Sequence, residues 1–189
     1  SIQVGIQTGN DDLLVFSADF VKHEMDKKYL KPYVKGREVK RYAHLEPQLF
    51  VFYPYILENG KQRLITEAEL KQNPKLYNYI QSHKPDLEKR WGVKIYYDLP
   101  TARTIEWFEK NKILTPDVSA VPNFTIADGG TYFSKGSCYG IILKQSKLNE
   151  YVLGLLNSKL IFAIFKDKSA MFSGGYYRFT TDFMEPLPI

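Results

Sequence analysis

The side chains of this sequence best suited to chemistry are cations interleaved with aromatic rings. The densest run is Lys31–Tyr42, in which Gly36 would also let the backbone approach a phosphate closely. An arginine guanidinium is a planar fork that fits guanine O6 and N7, whereas a lysine ammonium acts as a point charge on phosphate. The candidate contact residues of this run are Lys35, Arg37, Lys40, Arg41 and Tyr42. The alternative is a basic connector whose tyrosines pack inside the protein.

Two shorter segments and one isolated arginine carry the same residue types. In Ser173–Phe179, a pair of glycines precedes Tyr-Tyr-Arg, and we predict contacts from Ser173, Tyr176, Tyr177 and Arg178. The alternative is an aromatic strand whose glycines relieve crowding. Ser134–Ser137 is predicted to be a hairpin tip that presents Lys135, and Arg103 is a weaker candidate in a polar stretch. The alternative for Ser134–Ser137 is an ordinary hairpin tip with no role in DNA binding.

Motifs for catalysis and for metal binding are absent from the sequence. It has no phosphate-cradling GxxxxGK[ST] loop, no GxGxxG turn and no G-x-S-x-G elbow. The three histidines stand far apart and have no cysteine or acid at ligand spacing, so we expect no metal site. Asp86 and Glu88 lie in one predicted helical turn, where surface ion pairs are the better explanation than a metal-dependent nuclease site. We expect no catalytic residue in this chain.

The charge of the chain is concentrated in one window. The 189 residues carry 26 Lys or Arg and 21 Asp or Glu, for a net charge of +5. Residues 22–41 hold eight of these cations and three of these acids, so the rest of the chain sums to zero. A basic patch on a neutral body is typical of a polyanion-binding protein, although a solvated Lys-rich loop has the same composition. The single Cys138 and the absence of a leader pattern favour a cytoplasmic location.

The pattern of strands and helices predicts an α+β fold, a single compact domain with a curved, largely antiparallel sheet and several helices. Gln48–Tyr53 is a β-prone run, and Asp128–Gly130 is predicted to be a hairpin turn. Thr66 and Glu69 form a capping box, and Pro74 is placed to begin a second helix. Residues 148–165 have the spacing of one or two helices around Asn157-Ser158. Residues 31–33 and Gly36 are predicted to break regular structure.

An ordered set of short motifs covers nearly the whole chain. They are Gly5–Asp11, Leu30–Tyr42, Leu87–Arg90, Lys112–Asp117, Leu155–Leu160 and Leu187–Ile189. In this order they resemble the TaqI-like C-terminal specificity domain of adenine-N6 DNA methyltransferases and of fused restriction-methylation enzymes of the Eco57I type. The resemblance implies a target-recognition domain that docks on double-stranded DNA and reads a short sequence. It also implies an adjoining methyltransferase domain that holds S-adenosylmethionine and flips the target adenine. We expect neither cofactor binding nor methyl transfer in this chain. Its residues 1–189 would form one target-recognition domain of a longer chain.

Two functional hypotheses follow. In the first, Lys35, Lys40 and Lys135 position the domain on the DNA backbone, and Arg37, Arg41, Tyr176 and Arg178 compete for base edges. In the second, the same fold is a protein-interaction module that docks a methyltransferase, a nuclease or a phage-defence partner. Their difference is the response to salt, which is steep for phosphate contacts and slight for an apolar protein interface. A hydrolase that uses scattered acids is a third and weaker possibility.

Overall fold

A computed structural model of the chain describes residues 1–169 and 171–189, without the side chain of Ser173. The strands of the described residues are β1 (Ile2–Val4), β2 (Val15–Ser17), β3 (Leu30–Val34), β4 (Leu49–Phe52), β5 (Tyr55–Glu58), β6 (Lys61–Leu64), β7 (Lys112–Pro116), β8 (Val118–Ser119), β9 (Thr125–Ala127), β10 (Tyr132–Phe133), β11 (Cys138–Ile141), β12 (Met171–Phe172) and β13 (Tyr176–Arg178). The α-helices are α1 (Asp11–Leu14), α2 (Ala18–Glu24), α3 (Glu67–Lys71), α4 (Pro74–Ser82), α5 (Lys84–Leu87), α6 (Ile105–Phe108), α7 (Asn149–Leu156), α8 (Lys159–Lys168) and α9 (Thr181–Met184). Short 3₁₀ helices occur at Gly36–Glu38, Ser146–Leu148 and Ser173–Gly175.

A central antiparallel sheet, in the order β1-β11-β7-β9, separates two hydrophobic cores. Because successive side chains of a strand point to opposite faces, neighbouring residues of β7 contribute to different cores. Leu114 packs into the larger core with Phe108 and Phe133, and Ile113 packs into the smaller core with Phe165. All five residues of the strand are buried because both faces are covered.

The second sheet has the order β10-β3-β4-β2, with β10 parallel to β3 and the other pairs antiparallel. The prediction that residues 31–33 break regular structure is wrong, since they lie within β3. Pro32 pairs with Phe50 of β4 but lies beyond the two-residue contact with β10. Its missing N–H therefore costs no ladder hydrogen bond, as at an edge position.

The predicted hairpin at Asp128–Gly130 is also wrong, although the chain turns there. The amide of Thr131 donates to the carbonyl of Asp128 at 3.2 Å, so a tight turn is present. The strands on either side do not pair with each other, because β9 joins the central sheet and β10 joins the second sheet. Turn residues identify the turn, but they do not specify which strands pair.

Helix boundaries agree with the sequence signals. Thr66 accepts a hydrogen bond from the Glu69 amide at 3.2 Å, and the Glu69 carboxylate accepts from the Thr66 amide at 2.8 Å, which is the predicted capping box. Pro74 occupies the first position of α4. Of the one or two helices predicted around Asn157-Ser158, the structure has two, α7 and α8, and the Ser158 hydroxyl accepts from the Ile161 amide at the start of α8.

The α+β prediction is confirmed, with one refinement. The strands form several mostly antiparallel sheets rather than one curved sheet, including the three-stranded β12-β13-β8 and the β5-β6 hairpin. Among the helices of the described residues, none alone has the length and apolar character needed to cross a membrane. Only Ser146–Leu156 and Lys159–Lys168 together reach both, and that pair bends by 74°.

Candidate functional site

A cleft of about 530 Å³ opens where four parts of the chain meet. One wall is the segment from Gly36 to Lys40, which follows β3. The opposite wall is formed by residues 116–123, which include β8, together with Tyr176 of β13. Gly136 and Ser137, in the turn between β10 and β11, close one end. This turn is not the predicted hairpin tip, because β10 and β11 lie in different sheets. Three segments that the sequence singled out separately are thus brought together at one place.

Close backbone packing holds the wall that follows β3. The amide of Gly36 donates to Ser137 Oγ at 3.2 Å, and a Cβ at this glycine would lie 2.2 Å from the Ser137 carbonyl oxygen. The Glu38 carboxylate accepts from the Lys35 amide at 3.0 Å, and Val39 is buried. Glycine is therefore needed at position 36 for the approach of another backbone, and not for the approach of a phosphate as the sequence had suggested.

Arg37 and Lys40 present their charges to the cleft. The Arg37 side chain is 76% exposed, and its Nε lies 3.9 Å from Glu38 Oε1, too far for a hydrogen bond. Lys40 is exposed and lines the same cleft. Two cations on one wall of a concave surface suit the binding of an anionic ligand.

The basic window of the sequence is split in space by β3. Lys27 and Lys28 precede this strand, and Lys35 to Arg41 follow it. A five-residue strand is about 16 Å long at the usual rise per residue, so the two groups lie at opposite ends of it. Only the second group borders the cleft, and the charge available there is smaller than the whole window suggested.

Lys35, Arg41 and Tyr42 lie beside the cleft but have partners within the protein. Lys35 Nζ forms an ion pair with Asp11 Oδ2 at 2.7 Å. The Arg41 guanidinium donates to the Asn157 carbonyl at 2.8 Å and lies 5.2 Å from the centre of the Tyr42 ring. Tyr42 has a left-handed backbone (φ 57°), and its ring is exposed and not packed inside. These contacts anchor the cleft wall and leave the faces of Arg41 and Tyr42 at the surface.

The side chains of β13 alternate between two surroundings. Tyr176 lines the cleft and is 46% exposed. Tyr177 points the other way, and its ring lies 5.6 Å from that of Phe162 in the smaller core. Arg178 Nη2 and Nε contact the Asp117 carboxylate at 2.7 and 3.3 Å, and this partner raises the pKa of the guanidinium. The side chain of Ser173, also a predicted contact residue, lies outside the part of the chain that the structure describes.

Lys135 and Arg103 lie away from the centre of the cleft. Lys135 is exposed, precedes Gly136 at the end of the cleft, and its Nζ is 3.5 Å from Thr101 Oγ1. Arg103 has a left-handed backbone (φ 60°), and its carbonyl accepts hydrogen bonds from Tyr53 and from Gln62 of β6. Arg103 is thus placed towards the β5-β6 hairpin, and Lys135 on the rim of the cleft.

The sequence did not single out the apolar wall of the cleft. Val118, Ala120 and Val121 line it, yet the run resembles any strand followed by a loop. The signal was the position of these residues directly after Lys112–Asp117, one of the ordered motifs. The sequence also gave no indication that Lys112 is fully buried, where Nζ donates to three carbonyls and burial lowers its pKa to about 8.

Comparison with known proteins identifies the family. The model of the TaqI-like C-terminal specificity domain matches residues 31–189, most of the chain. The fold is similar to part of MmeI, a type IIL restriction-modification enzyme whose structure was solved in complex with DNA. That match has a TM-score of 0.67 at 15% identity and covers 96% of this chain but 24% of MmeI, so the chain spans about a quarter of its length. The resemblance drawn from the ordered motifs is confirmed: the chain belongs to the family of TaqI-like C-terminal specificity domains.

Proposed function

We propose that this chain recognises a short sequence in double-stranded DNA, as the target-recognition domain of a bacterial restriction-modification enzyme. The observation that carries the proposal is the cleft, in which exposed Arg37 and Lys40 face an apolar wall with Tyr176. Family membership supports it, and so does the likeness of the fold to MmeI, which was solved bound to DNA.

We divide the cations around the cleft into two groups. Those with exposed side chains contact DNA, and those held by an acid within the protein anchor the cleft. We assign base reading to Arg37, whose guanidinium is largely exposed and lies 3.9 Å from Glu38, so that it gives up little when it meets a guanine edge. Lys40 and Lys135 supply phosphate contacts from the wall and the rim. Arg178 and Lys35 hold Asp117 and Asp11 and act as anchors. Arg41 and Tyr42, stacked at the surface, form a flanking contact, and Arg103 reaches DNA only if the duplex extends towards the β5-β6 hairpin.

The parent enzyme belongs to the same proposal. We infer an adenine-N6 methyltransferase of the type IIG kind, working in the cytoplasm, whose adjoining domain binds S-adenosylmethionine and performs the transfer. In that arrangement residues 1–189 form one recognition domain with no catalytic role of their own. Recognition and methyl transfer would lie in separate domains, because recognition requires a shaped, charged surface whereas base flipping requires a pocket for the flipped base.

The test is equilibrium binding of the chain to duplex DNA over a range of salt concentrations. Arg37→Ala should weaken binding to the preferred duplex by about 1–3 kcal/mol, roughly 5- to 150-fold, and relax the choice at one base pair. Lys40→Ala should weaken binding to all sequences alike and reduce the salt slope by about one. The matched control is Lys61→Ala, an exposed lysine on the β5-β6 hairpin, which should change neither.

The opposite results are equally clear. Unchanged affinity and unchanged site choice in Arg37→Ala would remove the base-reading role. Weak binding that hardly responds to salt would favour the protein-docking hypothesis, because an apolar interface releases few counterions.

A further inference from the structure

One face of the β12-β13-β8 sheet exposes apolar side chains. In the antiparallel registers, Tyr176 lies opposite Phe172 and Arg178 lies opposite Val118. Residues that are opposite, or two apart along a strand, share a face. Phe172 (52% exposed), Tyr176 and Val118 (37%) therefore share the outer face, and Val121 (51%) continues it along the cleft.

The two walls of the cleft differ in chemistry. Arg37 and Lys40 make one wall cationic, whereas Val118, Val121 and Tyr176 make the other largely apolar. Arg178 shares the sheet face of the apolar wall, but its charge is matched by the two contacts with Asp117. The cleft thus offers charge from one side and apolar contact from the other.

A ligand that fits both walls must carry an apolar group beside negative charge. In the major groove of DNA the apolar group on a base edge is the C5-methyl of thymine, which side chains recognise by apolar contact, and the phosphates supply the charge. A purely apolar protein segment fits less well, because it would desolvate Arg37 and Lys40 and bring no acid to pair with them. We propose that Val118 and Val121, beside Tyr176, read a thymine methyl in the recognised sequence. This inference rests on the proposed function and specifies part of its base code.

The experiment compares thymine with uracil, which differs only by the C5-methyl. Duplexes enriched from a randomised pool are remade with uracil at each thymine in turn. Uracil should lower affinity about fourfold at one or two positions, which corresponds to about 0.8 kcal/mol for one buried methyl-sized group. The double variant Val118→Ser with Val121→Ser should bind thymine and uracil duplexes equally and keep its dependence on Arg37. The control Leu57→Ser removes an exposed apolar side chain from the β5-β6 hairpin and should keep the fourfold difference.

The outcomes separate this inference from the function on which it rests. Equal binding of thymine and uracil duplexes at every position of an enriched sequence overturns methyl reading and leaves DNA recognition standing. A fourfold difference that persists in the double variant also overturns it, because the methyl is then read elsewhere. Failure to enrich any sequence overturns both proposals.

Discussion

Asn157 is the residue whose removal should most clearly disturb the support of the cleft. It is almost fully buried between α7 and α8, and its side-chain amide pairs with the backbone of Phe124. Nδ2 donates to the Phe124 carbonyl at 2.9 Å, and Oδ1 accepts from the Phe124 amide at 3.1 Å. Its own carbonyl accepts from Arg41, and the amide of Tyr42 donates to the same Phe124 carbonyl. Three distant segments therefore meet at Asn157 and Phe124.

The cost of Asn157→Ala follows from which groups lose their partner. The Phe124 carbonyl keeps the hydrogen bond from Tyr42, at 3.1 Å. The Phe124 amide, in contrast, loses the acceptor that the structure gives it and remains buried. A buried donor without a partner costs about 1–3 kcal/mol, and the second lost bond adds about 0.5–1 kcal/mol. We expect a loss of roughly 1.5–4 kcal/mol in the free energy of unfolding.

The assay is denaturant and thermal unfolding followed by circular dichroism. For a chain of this size about 1.5–4 kcal/mol lowers the melting temperature by roughly 3–16 °C. The control is Asn78→Ala, an exposed asparagine on α4, which should stay within about 0.5 kcal/mol of the wild type. A melting temperature for Asn157→Ala within 1–2 °C of the wild type, roughly the effect of a surface substitution, would refute the assignment of this junction.

Three further predictions concern charge and backbone packing. Lys112 has its pKa lowered to about 8 in the folded protein, so between about pH 8 and 10.5 the unfolded chain binds more protons and stability rises with pH. Unfolding measured across this pH range should show a gain of up to about 3 kcal/mol in the wild type that Lys112→Met lacks, and no gain would contradict the prediction. Gly36→Ala should destabilise the folded protein by about 1–3 kcal/mol because the added Cβ meets the Ser137 backbone. The control Gly154→Ala, in open space on α7, should stabilise it by about 0.5–1 kcal/mol. Equal melting temperatures of the two variants would argue against the close approach of Gly36 to Ser137. Asp117→Asn should free Arg178 and raise the affinity for any duplex about fivefold at low salt, which titrations with random-sequence DNA can measure. Lower affinity would mean that the Arg178–Asp117 ion pair itself shapes the cleft.

Local signals in the sequence predicted local structure well. The capping box at Thr66 and Glu69, the proline that begins α4 and the break between α7 and α8 each depend on residues within one or two turns. The hairpin at Asp128–Gly130 failed because the partner of a strand is decided by the whole sheet arrangement. The ordered motifs identified the family because their order records the fold as a whole.

The candidate site was predicted only in part, since its members depend on distant partners. Arg37 and Arg178 look alike in the sequence, but Asp117, 61 residues away from Arg178, engages only the second. Tyr176 and Tyr177 are adjacent, and the register with β8 decides which one faces the cleft. Val121 carries no charge or hydrogen-bonding group to attract attention. Residue chemistry therefore identified the candidates, and the fold decided which of them share the cleft.

The most direct test of the central claim is selection from a randomised duplex pool by the purified chain, at low and at moderate salt, followed by sequencing. We predict an enriched motif that persists when the salt is raised and that loses one position in Arg37→Ala. Retention that vanishes with salt and selects no motif would contradict sequence reading by this cleft.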